Sequence, residues 1–315
     1  MLEVDVLVFT LTLYALSHFS EILVSSSLKL SKYFKINPLI IGFFVIAMGT
    51  SLPEMFIAVS SITQNLEIIS IADLFGATVI NSTLIIGISL IIARRAGKEI
   101  TNEYRSVLLL MTSFFVSLTL VIISPSRYLG ISLILLYMIV ARFMLNKNHH
   151  KSKIEEAIEM KSIVVESIKL AISLFIIIFS SRFLVVSVSN ISTELGIESI
   201  VISSLIVAIG TTVPELFTAI NAAGRDLRLV YANSYGSTII NLALILGIIL
   251  TFSQNIEKID LSKFWFHAFF ILLSNMIVLI TFDKLDWRVG VLLLGIYALY
   301  LTMSISHVQI PFMLR

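Results

Sequence analysis

Cysteine is absent, which removes any disulfide framework and any thiolate metal site from consideration. Charge is scarce as well: Asp, Glu, Lys and Arg make up 13% of the 315 residues, against 57% apolar side chains. Soluble domains carry about 25% charged residues, so most of this chain must have lipid as its solvent. The first residues lack the Lys or Arg that opens a secretory signal and carry Glu3 and Asp5 instead, with no small-residue cleavage site behind them. That segment is expected to be retained as a span. The net charge of +2 is spread over loops between apolar stretches, so a nucleic-acid partner is not expected. HExxH is missing, and no Ser/His or paired-Asp arrangement occurs at matching depths, which argues against an intramembrane hydrolase.

What is present in abundance is apolar length. A membrane helix needs about 20 predominantly apolar residues, because its backbone must satisfy itself within the segment. Ten stretches qualify: roughly 4–28, 37–62, 68–93, 105–124, 128–146, 161–190, 197–222, 229–252, 262–281 and 287–307. Sixteen of the 22 basic residues fall in alternate loops, among them Lys29, Lys32, Lys35, Arg94, Arg95, Lys98, Arg225 and Arg228. Positive charge favours the cytoplasmic side, so both termini are expected outside.

The chain also repeats itself. At an offset of 161, residues 36–61 fall on 197–222 with nine of 26 positions identical; at an offset of 160, ADLFGATVIN falls on ANSYGSTIIN. The expected organisation is a first five-helix repeat over 1–146, a short cytoplasmic loop over 147–160 and a second repeat over 161–315. An odd number of spans per repeat forces the second copy to enter from the opposite side. The expected fold class is therefore an all-α polytopic membrane protein of about ten transmembrane helices in two inverted repeats. Such symmetry supports alternating access in a transporter, a need that neither an enzyme nor a receptor has.

Each repeat carries Gly-Thr-Ser/Thr-X-Pro-Glu in mid-span: Gly49, Thr50, Ser51, Pro53 and Glu54, then Gly210, Thr211, Thr212, Pro214 and Glu215. Proline lacks the N–H that would bond the carbonyl four residues back, so the carbonyls of Gly49 and Gly210 are expected to be released. A carboxylate near the bilayer centre costs at least about 2.5–3.5 kcal/mol on insertion scales and needs a partner. These spans offer no basic residue at that depth, so the partner is expected to be a cation. The neighbouring groups are the hydroxyls of Thr50, Thr211, Ser51 and Thr212 and the amides of Asn81 and Asn241. Oxygen ligands suit calcium or sodium rather than zinc or copper. Taken singly, such a proline is most often a kink, and such a hydroxyl usually bonds its own helix. Repetition of the cluster at matching depth is what favours an ion site. Gly76, Gly87, Gly236 and Gly247 are expected to let helices approach closely.

At these residues the chain resembles the cation/calcium exchanger superfamily in its compact, prokaryotic, sodium/calcium exchanger-like form. The two alpha repeats of that family carry a GTS-x-PE-type motif and a downstream G-S-x-x-x-N. The resemblance implies that Glu54 and Glu215 are shared calcium and coupling-ion carboxylates, and that Thr50 and Thr211 supply calcium oxygens. It places Ser51, Thr212, Asn81, Asn241 and Ser237 along the same cavity. It gives Ala47 and Ala208 backbone carbonyls facing flanking sodium positions, and it makes spans 1 and 6 the pair that slides across a rigid core. It implies transported calcium and sodium (or protons), no cofactor, no obligatory protein partner and residence in a cell membrane. The expected activity is antiport of calcium for sodium by alternating access, with calcium/proton antiport and a passive cation channel as the alternatives.

Two departures stand out. Ala77 occupies the place of Ser237, removing a hydroxyl often found at a flanking sodium site. Asn81 and Asn241 are both amides where some members carry an aspartate, which reads against potassium dependence. Outside the motifs, Asp73 is expected to begin the third span as an ion-entrance residue or a helix cap. Glu21 and Arg182 hold equivalent places in spans 1 and 6, either paired or solvated apart.

Overall fold

The computed structural model describes residues 2–65, 67–93, 125–146, 160–194, 200–254, 256–259, 261–281 and 285–313. The fourth expected span and most of the connecting loop, with His149 and His150, lie outside the described residues. Among the described residues the regular structure is helical throughout. We label the helices α1 (Leu2–Phe34), α2 (Pro38–Thr50), α3 (Leu52–Gln64), α4 (Glu67–Ala93) and α5 (Arg127–Asn146). The second half supplies α6 (Met160–Glu194), α7 (Ile200–Ala223), α8 (Leu227–Phe252), α9 (Trp265–Ile280) and α10 (Trp287–Met313).

Local chemistry sets the ends. Asn37 caps α2 by accepting from the Leu39 backbone N–H, with Pro38 at the first helical position, where no N–H is needed. Asp226 does the same for α8 by accepting from Arg228 N, and Asp286 accepts from the N–H groups of Arg288 and Val289 at the start of α10. Lys35 (φ 54°) and Asn65 (φ 57°) take the left-handed conformation just beyond α1 and α3.

Among the described residues six helices, or stretches within them, are individually long and apolar enough to cross a membrane, and α2 with α3 forms a seventh such element, bent by 45°. The bend falls at Ser51, two residues before Pro53. In the second half Pro214 lies inside the continuous helix α7. The apolar stretches of α4 and α8 are 78% buried, those of α1, α5 and α6 only 22%. So α4 and α8 form the centre of the molecule, and the others turn a face to lipid. On α6 that face is a stripe of Ile168, Ile172, Phe175, Phe179 and Phe183, spaced three or four residues apart.

The halves interlock. An added Cβ on Gly236 of α8 would lie 2.8 Å from the Ala47 Cβ on α2, and one on Gly76 of α4 would lie 3.0 Å from the Ala208 Cβ on α7. Each motif helix therefore packs on the other repeat's central helix at a spacing only glycine permits. Gly87 and Gly247 approach the backbone carbonyls of Gly290 and Gly130 in the same manner, at 3.0 and 2.9 Å from an added Cβ.

Helices α1 and α6 run antiparallel against each other. Asn190 Nδ2 donates to Asp5 Oδ1 at 2.9 Å near one end. Near the other, Glu166 accepts from Ser26 Oγ (2.8 Å), Lys29 Nζ (2.9 Å) and Lys169 Nζ (3.1 Å).

Candidate functional site: a buried oxygen cluster between the repeats

Glu54 begins α3 just past the bend, and Glu215 lies in α7; both are fully buried. The Glu54 carboxyl lies within electrostatic reach of Glu215. Each also has the other repeat's threonine beside it: Thr211 near Glu54 and Thr50 near Glu215. Ser237 Oγ approaches Glu215 Oε1 at 3.4 Å. At the matching sequence position of the first repeat the chain has Ala77, and neither oxygen of Glu54 has a hydrogen-bond partner.

The threonines also reach across the repeat boundary. Thr50 Oγ1 lies 3.4 Å from Asn233 Oδ1 and 3.3 Å from its own helix carbonyl at Ala47. Thr211 Oγ1 lies 3.1 Å from Asp73 Oδ1 and 3.2 Å from the Ala208 carbonyl. A hydroxyl has one proton, so each threonine divides it between a helix carbonyl and the partner repeat. Thr212 bonds only inward, to Ala208 O at 2.7 Å and Ile209 O at 3.1 Å, as a helical threonine ordinarily does. The carbonyls of Ala47 and Ala208 thus already accept a hydroxyl, and a carbonyl oxygen keeps a second lone pair.

Asn81 opens a π-helical segment, Asn81–Ile85, and Asn241 lies in another, Ile240–Ile245. Such segments are rare and frequently mark functional positions. Both amides are fully buried, and neither their oxygens nor their nitrogens have a partner; buried Ser51 Oγ has none either. Unpartnered polar atoms in a core cost about 1–3 kcal/mol each, and these two segments pack against the opposite repeat's motif helices, Asn81–Ile85 on α7 and Ile240–Ile245 on α3. Among the described residues no three acidic or histidine side chains form a ligand group by themselves. Hydroxyl, amide and carbonyl oxygens would have to complete any shell, the donor set that hard cations take.

One expectation is corrected. Asp73 does not begin its helix: α4 starts at Glu67, and Asp73 sits about 9 Å further along, 3% exposed, bonded to Thr211. It faces the cluster as a third carboxylate, near both glutamates. The signal was in the repeat, since Asn233, its counterpart, aligns with it. Glu21 pairs with Arg225 at 2.6 Å, while Arg182 is exposed on α6. Arg225 was within reach because α7 ends against α1, where Asn221 Nδ2 donates to Ser20 Oγ at 2.8 Å. A further buried acid, Glu67, accepts from Ser253 Oγ at 2.8 Å where α4 begins and α8 has just ended.

Two inverted helical repeats crossed at a shared pocket of buried oxygens define a polytopic membrane protein of the exchanger type. The chain belongs to the family described as sodium/calcium exchanger protein, whose model matches residues 4–146 and 167–306. It is 27% identical over 305 residues to an uncharacterized membrane protein of Methanocaldococcus jannaschii, MJ0091, covering 94% of this chain and 97% of that one. Sodium/calcium exchanger MaX1 of Methanosarcina acetivorans is 24% identical, with 96% and 98% covered. Among solved structures, the sodium-calcium exchanger NCX_Mj soaked with sodium and strontium superposes with a TM-score of 0.83 at 25% identity, covering 96% of this chain and 99% of that one.

Proposed function

We propose that this protein is a secondary active antiporter that exchanges calcium for sodium by alternating access at a site shared between Glu54 and Glu215. The observation that carries the reading is the convergence of these two buried carboxylates with the other repeat's threonines, beside amides and hydroxyls that lack partners. Two carboxylates neutralise one divalent ion, and calcium's six to eight oxygens are within the means of Thr50, Thr211, Ser51, Thr212, Asn81, Asn241 and Ser237 with the carbonyls of Ala47 and Ala208. Solved structures of NCX_Mj soaked with sodium, calcium and strontium support these ions as the cargo.

Competition for one charge-neutralised site couples the fluxes. An empty site would carry uncompensated charge into a low-dielectric region, which disfavours the change of access without a load. Helices α1 and α6, joined near their ends and lipid-facing along their length, are the pair that moves. The two repeats, 1–146 and 161–315, act as the two gates, in a cell membrane with both termini outside.

The test is calcium-45 uptake into proteoliposomes loaded with sodium, beside proton-loaded and ion-equilibrated controls. Uptake that requires the sodium gradient supports the reading. Uptake driven only by protons replaces sodium as the coupling ion, and downhill flux without coupling makes the protein a passive channel.

A further inference from the structure

The acid at position 73 is an asymmetry in an otherwise paired site. Asn233, its counterpart, is fully engaged: Oδ1 faces Thr50 at 3.4 Å, and Nδ2 donates to the Glu215 backbone carbonyl at 3.3 Å. Asp73 uses Oδ1 toward Thr211 at 3.1 Å, while the buried Oδ2 has no hydrogen-bond partner. An amide oxygen accepts a threonine proton as well as a carboxylate does, as Asn233 demonstrates. Packing therefore does not explain the acid. What Asp73 adds is charge, at a depth where charge costs at least about 2.5–3.5 kcal/mol without a partner. Among the described residues no lysine, arginine or histidine forms an ion pair with it. Its charge acts on both Glu54 and Glu215, and the unpartnered oxygens of Glu54 belong to the same buried cluster.

We infer that Asp73 is a cation-binding carboxylate of the exchange site, so that the first repeat contributes two of its carboxylates and the second contributes one. This rests on reading Glu54 and Glu215 as that site. Three carboxylates are balanced by a divalent ion with one monovalent, or by three monovalent ions. The third acid strengthens calcium binding and sets the charge of each load. It is contributed by α4, which stays in the centre of the molecule, so it serves both access states.

The test uses the purified full-length protein in detergent, with calcium chloride titrated against thermal unfolding, and sodium chloride as the competitor. Asp73→Asn should raise the half-saturating calcium concentration by at least about tenfold, the effect of removing one charged ligand. The double variant D73N/N233D moves the acid to the equivalent place in the other repeat and should recover most of that loss, an outcome a merely structural role would not produce. D73E, which keeps the charge on a longer stem, should retain a calcium response that D73N has lost. An unchanged titration in D73N, or a double variant as weak as D73N, overturns the inference. E54Q separates the two readings: calcium stabilisation that survives E54Q but is lost in D73N counts against the shared glutamate site and for Asp73, and the opposite pattern does the reverse.

Discussion

The Thr211 hydroxyl and Asp73 meet across the repeat boundary at 3.1 Å, and the equivalent pair, Thr50 and Asn233, meets at 3.4 Å. In each case the hydroxyl comes from the helix of one half and the acceptor from the central helix of the other. These two contacts join the halves, and neither half could make them within itself.

The two glutamates are the first point of test. Glu54→Gln and Glu215→Gln keep shape and remove charge from two fully buried positions. Both variants should reach the membrane folded, judged by gel filtration and thermal unfolding, yet take up calcium no faster than empty liposomes. Uptake at the normal rate by either one removes that residue from the transport step.

Ala77 gives a test in the gaining direction. Ser237 Oγ stands 3.4 Å from Glu215 Oε1, and Ala77, its counterpart in the first repeat, has no hydroxyl. Ala77→Ser adds one oxygen and should lower the sodium concentration needed to compete with calcium by about threefold to tenfold, the effect of one neutral hydrogen-bonding ligand of about 0.5–1.5 kcal/mol. The measurement is sodium inhibition of calcium-45 uptake.

The close crossing of the halves predicts a stability effect. Gly236→Ala would set a methyl 2.8 Å from the Ala47 Cβ, and neither group can rotate away. The change should cost about 1–3 kcal/mol, read as a lower unfolding temperature. Gly295→Ala on α10 is the control: nothing lies within 4 Å of its added methyl, and a helical glycine replaced by alanine should gain up to about 1 kcal/mol.

The charged contacts of α1 should differ in weight. Glu21 and Arg225 have side chains 54% and 36% exposed, so Glu21→Gln should alter stability by under about 1 kcal/mol. Glu166 has a side chain only 9% exposed and accepts from Ser26, Lys29 and Lys169, joining α1 to α6. Glu166→Leu leaves three donors without their acceptor and should cost about 1–3 kcal/mol, the larger drop in unfolding temperature of the two.

Apolar spans and the repeat were legible because lipid imposes length and apolarity, and duplication preserves spacing. Residues 68–93 and 229–252 read as spans and form α4 and α8. The glycines read as sites of close approach, and Gly76 and Gly236 meet Ala208 and Ala47. Partnership between distant residues was harder to read. Glu21 and Arg182 share a depth, but depth does not say which way a side chain points around the helix, and Arg225 took the pairing instead. Asp73 was read as the start of a span whose apolar stretch already opens at residue 68; α4 begins at Glu67, itself buried against Ser253, so Asp73 lies more than a turn inside the helix. That Pro214 lies within one continuous helix was also not readable, since the same motif marks a helix break at Ser51 in the first half.

The unequal pairs, Asp73 with Asn233 and Ala77 with Ser237, have a consequence for ancestry. A half-length chain that assembled as an antiparallel homodimer would present the same residue at both equivalent positions: two acids or two amides, two methyls or two hydroxyls. One of each is attainable only after fusion, when a substitution in one half no longer repeats itself in the other. Joining the halves on one polypeptide is thus what allows the cluster to hold an odd number of carboxyl groups.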